Sequence, residues 1–345
     1  MNKKYLILSL ILTLSLSLVA CSSKSTTEPE VDKEVEAEQT VEKKLIFADG
    51  SWDSIRLHNV IAGYILENAY GYEIEMMPGS SPNLIAGQAA GDVNVFMENW
   101  PDNFQGYQPA IDEGSIVEVG LNFDDNAQGF YVPRYLIEGD EARGIKALAP
   151  DLKTVEDLKK YAALFPDEED PGRSAIINAP PTWGISEVME KKFENYNFGE
   201  QFNLISSGSD SGLSASLSSA YEKGDPWVGY YWEPTWISGK YDIVLLEETP
   251  YTDELWADGY NSAIKAVRCT ITVDKATKEN HPEVVEFLSK YKTSSALVSE
   301  MLAYMMNNDV DIDQTAEWFL KEKQDVWKDW LPADKFEQIL TSLEK

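Results

Sequence analysis

From about residue 44 the chain alternates short apolar runs with amphipathic helical stretches, and after residue 129 the same rhythm starts again. The first pass reads LIFAD, the helix DSIRLHNVIAGYILENAY, YEIEMM, a helix near residues 82–90, and VNVFM. The second reads GFYVP, a helix at TVEDLKKYAALF, SAIINA, a helix from Gly184 to about Tyr196, FNLIS, a helix ending near Lys223, and the aromatic run GDPWVGYYWEPTW. Strand–helix–strand order of this kind predicts an α/β chain whose sheets are mostly parallel and flanked by helices. Two passes predict two lobes, in keeping with 345 residues. A further strand, IKAVRCTITVD, is followed only by helical patterns, from HPEVVEFLSKY to ADKFEQILTSLEK.

Ahead of this region, MNKKYLILSLILTLSLSLVA places two lysines before an apolar run that is short for a membrane span. It reads as a signal peptide over residues 1–20. Leu18-Val19-Ala20-Cys21 resembles the lipobox of bacterial lipoproteins, which predicts lipidation at Cys21 and a flexible tether over residues 21–43, rich in Ser, Thr, Glu and Val. Cys269 is the one other cysteine, and in AVRCTITV it reads as a buried strand residue. With 29 basic against 59 acidic residues the formal charge is −30, which argues against a nucleic-acid partner.

Ten tryptophans are the main compositional signal. Trp318, Trp327 and Trp330 sit in a charged helical stretch and read as helix packing; Trp227 reads as core; Trp256, in the acidic loop DELWADGYN, reads as a lid or a loop anchor. The other five each fall where a predicted strand gives way to a loop: Trp52, Trp100, Trp183, Trp232 and Trp236. Ligands of open α/β sheets bind at such strand ends. Trp100, Trp183 and Trp232 are therefore expected to share one aromatic site, with Trp52 and Trp236 as candidate extra walls.

Indole rings in a group suit a quaternary ammonium, which has no N–H to give a carboxylate but is attracted to the negative faces of aromatic rings. Each ring is worth about 0.5–2 kcal/mol, so three or four supply on the order of 6 kcal/mol, and micromolar binding needs about 8. The rest could come from a ligand carboxylate at the start of the helix after Trp183, where Gly184 leaves the backbone amides open.

These residues carry a resemblance. The stretches GDVNVFMENWPDN, DNAQGFYVP, NAPPTWGIS, AYEKGDPWVGYYWEPTW with YDIVLLEE, and HPEVVEFL are similar to the substrate-binding proteins of osmoprotectant ABC importers, the glycine betaine and proline betaine binding family. The match runs from about residue 44 to the C-terminus, and W-x-P-x-W after an aromatic strand is a fairly specific mark of that family. The resemblance implies a two-lobed periplasmic-binding-protein-like fold with the ligand in the cleft between lobes. Lobe 1 would comprise residues 44–128 plus 263–345, and lobe 2 residues 129–262. It implies an ammonium box of Trp100, Trp183 and Trp232, and backbone amides of Gly184 and Ile185 on the carboxylate. Where some members have histidine, this chain has Thr235, a candidate second carboxylate partner. The expected partners are a small quaternary ammonium ligand, glycine betaine first with choline and carnitine as alternatives, an ABC permease with its ATPase, and the outer face of the cytoplasmic membrane through the lipid.

No enzyme, cofactor or metal is expected. The two histidines, His58 and His281, supply a catalytic triad thinly, and no zinc spacing occurs. The competing reading is a sugar-binding lipoprotein or glycosidase, in which Glu98, Asp102 and Glu233 would lie beside stacking tryptophans.

Overall fold

The computed structural model describes residues 43–104 and 106–344. The expectations for the signal peptide, Cys21 and nearly all of the tether fall outside the described residues. Among the described residues, ten strands form two five-stranded sheets. The first joins β1 (Lys44–Asp49), β2 (Glu73–Pro78), β3 (Val95–Asn99) and β4 (Ile116–Phe123) with β10 (Cys269–Asp274), in the order β2-β1-β3-β10-β4. The second joins β5 (Ala127–Pro133), β6 (Ser174–Asn178), β7 (Phe202–Ser206), β8 (Gly229–Glu233) and β9 (Ile243–Leu245), in the order β7-β6-β8-β5-β9.

Both sheets are mixed. β1 pairs parallel with β2 and β3, and β6 with β7 and β8, as the local strand–helix rhythm requires. The other pairings are antiparallel: β10 lies between β3 and β4, and β5 between β8 and β9. β10 follows every strand of the second sheet in sequence, so the chain passes through the second sheet before returning to the first.

Central strands covered on both faces are buried at almost every position. β3 and β10 fit this: all five residues of VFMEN and all six of CTITVD are buried. Alternation sends Val95 and Met97 into a core shared with Phe47, Ile271 and the C-terminal helices, while Phe96 points into a second core. That second core includes Trp52 and Ile55 beside β1, and it continues through Trp183 and Trp232 into the second lobe around Phe130 and Tyr231. Trp227, Trp327 and Trp330 are buried as expected, and Trp318 stacks on Tyr304. Cys269 is fully buried in β10, where burial pushes its thiol up. The stretch 155–164 winds as a 3-10 helix, held at its start by a reciprocal Thr154–Asp157 cap. Trp256, expected in a loop, sits in the short helix Asp253–Ala257, packed on Tyr260. His281 bonds the Tyr72 hydroxyl at 2.9 Å.

Candidate functional site

One cavity is lined by indoles from both lobes: Trp52 and Trp100 from the first, Trp183 and Trp232 from the second. Trp52 follows β1 and occupies the N-cap position of the helix Asp53–Ile65. Its ring folds back over Gly50, where an added Cβ would lie 1.9 Å from the indole, so only glycine lets the ring take this place. Trp100 follows β3 and caps the short turn Pro101–Asn103. Trp183 lies in the turn between β6 and the helix Ile185–Asn195, its amide donating to the Pro180 carbonyl at 3.0 Å. Trp232 sits inside β8 rather than beyond it, opposite Gln128 of β5.

The rings meet edge to face, the arrangement that aromatic quadrupoles favour. Trp183 stands at 81° to Trp52 with centroids 5.7 Å apart, and at 87° to Trp232 with centroids 4.8 Å apart. Tyr230, two residues before Trp232 and on the same face of β8, stacks against it at 14°. Ile85, Phe96, Phe104 and Tyr107 complete the apolar wall, and Ser81, Asn99 and Asn103 add polar atoms. Lysine, arginine and histidine are absent from the described lining.

Gly184 and Ile185 also line the cavity. They open the eleven-residue helix Ile185–Asn195, and the first amides of a helix have no carbonyl of their own turn to bond. Thr235 and Trp236 do not join this cavity. Thr235 is buried as the N-cap of the short helix Trp236–Lys240, its hydroxyl accepting from the Ser238 amide at 3.2 Å. Trp236, the first residue of that helix, packs between the two cores. The physical reason is the turn after Glu233: it leads the chain into a helix behind Trp232, against the helix Ser295–Asn308. Both residues line a separate small cleft with Asp53 and Asp210.

Glu98 lies fully buried behind two of the indoles. One carboxylate oxygen accepts from Trp52 Nε1 at 2.9 Å, Trp100 Nε1 at 2.9 Å and Ser54 Oγ at 3.0 Å. Burial raises its pKa to about 7, with the hydrogen bonds from Trp100, Ser54 and Trp52 opposing the rise. Asp102 faces Lys265 at 3.4 Å. Burial lowers the pKa of His58 to about 3, so it is neutral, with Nδ1 at 2.8 Å from the Tyr291 hydroxyl.

Several bonds cross the cleft. The Ser81 amide donates to the Thr182 carbonyl at 3.1 Å, and Trp183 Nε1 donates to the Gly50 carbonyl at 3.2 Å. The Asn103 and Gln128 side-chain amides bond reciprocally, at 3.1 and 3.2 Å. Tyr230 and Asn103 could have been found from sequence, the first by its two-residue spacing from Trp232 and the second by its place in the loop after Trp100. The Glu98 acceptor role could not, because it joins positions 46 residues apart.

Residues 43–322 match the family model described as the substrate binding domain of ABC-type glycine betaine transport system. The chain is 21% identical over 260 residues to the glycine betaine/proline betaine-binding periplasmic protein of Salmonella typhimurium (strain LT2), covering 70% of this chain and 75% of that one. In three dimensions it is similar to an ABC-transporter choline binding protein in complex with choline, with a TM-score of 0.69 at 19% identity over 88% of this chain and 98% of the other. It is also similar to lactococcal OpuAC in its closed-liganded conformation complexed with glycine betaine, with a TM-score of 0.66 at 18% identity over 84% and 100% of the two chains. These likenesses establish a two-lobed binding-protein fold, and the proteins named are substrate-binding proteins rather than enzymes. With four indoles gathered at its cleft and a family match over most of its length, this chain belongs to the family of substrate binding domains of ABC-type glycine betaine transport systems.

Proposed function

We propose that this protein captures a small quaternary ammonium compound between Trp52, Trp100, Trp183 and Trp232 and hands it, chemically unchanged, to an ABC permease driven by its ATPase. The observation that carries this reading is the convergence of four indoles from both lobes on one cavity whose described lining holds no cationic side chain. A hydrogen-bonding cation such as lysine would leave N–H groups unsatisfied against these walls, whereas a trimethylammonium group has none to satisfy. Glycine betaine suits the site best when its carboxylate meets the amides of Gly184 and Ile185; choline and carnitine share the head group and differ in what the tail requires. Lipidation at Cys21 would hold the protein on the outer face of the cytoplasmic membrane, with residues 21–43 as the tether. Among the described residues no helix is long and apolar enough to cross a membrane.

Calorimetry of the tether-free protein against glycine betaine, proline betaine, choline, carnitine and proline tests the reading. At least one quaternary compound should bind in the micromolar range and proline far more weakly. Trp183→Ala or Trp232→Ala should cost about 1–2 kcal/mol, on the order of tenfold in affinity. If no quaternary compound binds tighter than millimolar, the cage does not serve them.

A further inference from the structure

Glu98 is an unusual residue to find under an aromatic cage. Three donors converge on one of its oxygens, and two of them are the N–H edges of Trp52 and Trp100. Its other oxygen has no hydrogen-bond partner among the described residues and lies 3.8 Å from His58 Nε2, an imidazole that burial keeps neutral. The other titratable groups coupled to it are Cys269 on β10, Tyr291 after the helix Pro282–Lys290, and Asp210 at the start of the helix Asp210–Lys223. None is a cation. Asp53 and Arg56, on the helix that carries His58, act on Asp210. An amide side chain could accept the same bonds without a charge, so orientation of the indoles does not by itself account for a carboxylate. A buried carboxylate without a cation is costly, and that cost falls when a positive charge arrives.

Building on the quaternary ammonium reading above, we propose that Glu98 is the buried counter-anion of the cage, a positioning and specificity-determining residue that fixes the edges of Trp52 and Trp100 and completes its charge balance only when a cation is bound. An anion bonded at the indole N–H polarises the ring toward its face, which strengthens the attraction for a cation there. With burial raising the carboxyl to about 7 when no cation faces it, binding and deprotonation are linked. A nearby cation favours the ionised form, so affinity for the cation rises as pH rises through about 7 and levels off above it.

The test is titration calorimetry near pH 6 and near pH 8 with choline, whose positive charge is fixed over this range. Its uncharged analogue, with a tert-butyl group in place of the trimethylammonium, is the comparison ligand. Wild-type protein should bind choline more tightly at the higher pH, by up to about tenfold, and release protons on binding near pH 7. The analogue should bind weakly with no change across the range. Glu98→Gln should bind choline more weakly than wild type at pH 8 and lose the pH profile, whereas Asp210→Asn should retain it. Should Glu98→Gln fail to fold, the contrast between choline and its analogue on Asp210→Asn protein decides, because Asp210 is a second carboxyl that burial raises to about 7. Choline binding that is equal at the two pH values, or a pH profile that survives in Glu98→Gln, overturns the proposal while leaving the cage reading intact. A wild-type protein that binds no quaternary compound overturns both.

Discussion

Gly184 has φ −58° and ψ −32°, ordinary helical angles, so its own backbone does not call for glycine. The reason lies across the cleft: a Cβ at this position would sit 2.4 Å from the Asn103 carbonyl oxygen. Sequence reasoning gave this glycine the task of admitting a ligand carboxylate, and the structure adds that it admits the opposite lobe. Gly184→Ala should therefore fold normally and bind poorly. Overpacking of this kind costs about 1–3 kcal/mol, or on the order of tenfold to a hundredfold in affinity, charged to the closed form. Thermal melting with calorimetry on the variant checks this, and wild-type affinity would show that the lobes need not come so close. At this scale the tryptophans were legible because each lies at or near a strand end, and strand ends can be read from hydrophobic runs. What holds the rings in place was not, since Glu98 and Gly50 act through contacts that only the folded chain creates.

The short helix Trp236–Lys240 shows how an element can redirect residues that look functional in a linear reading. Trp232 and Trp236 flank the same proline, yet the first faces the cavity and the second is wedged between the two cores. Thr235 spends its hydroxyl on capping, with Ser238 reciprocating. Thr235→Ala should then lower stability by about 1 kcal/mol through loss of the cap and leave ligand affinity at the wild-type level. Urea unfolding beside calorimetry separates the two effects; a large loss of affinity at unchanged stability would return Thr235 to the ligand. Most strands and helices were legible from their periodicity, β3 and β8 among them. β4 was not, because it lies at a sheet edge with uneven burial, and β9, with three residues, is too short to carry a period. The antiparallel seating of β10 between β3 and β4 was also hidden, since it pairs Thr270 with Asn99 across about half of the chain.

For the molecule as a whole, the doubled strand–helix rhythm was enough to expect two lobes, and the two sheets do share one plan, with a parallel trio extended by an antiparallel pair. Sequence could not reveal how near the lobes stand, because that distance is set by a few groups that meet only after both have folded. Ser81 with Thr182, Trp183 with Gly50, and Asn103 with Gln128 bridge the cleft at hydrogen-bond distance. On the proposed reading a ligand passes only once these bridges part, which makes loading a gated event in time. In stopped-flow mixing, with tryptophan fluorescence as the signal, the observed rate should climb with ligand concentration and then reach a plateau fixed by lobe motion. Strict proportionality up to the diffusion limit would mean that the bridges impose no gate. A receptor built this way would fill at a ceiling of its own, however abundant the solute outside.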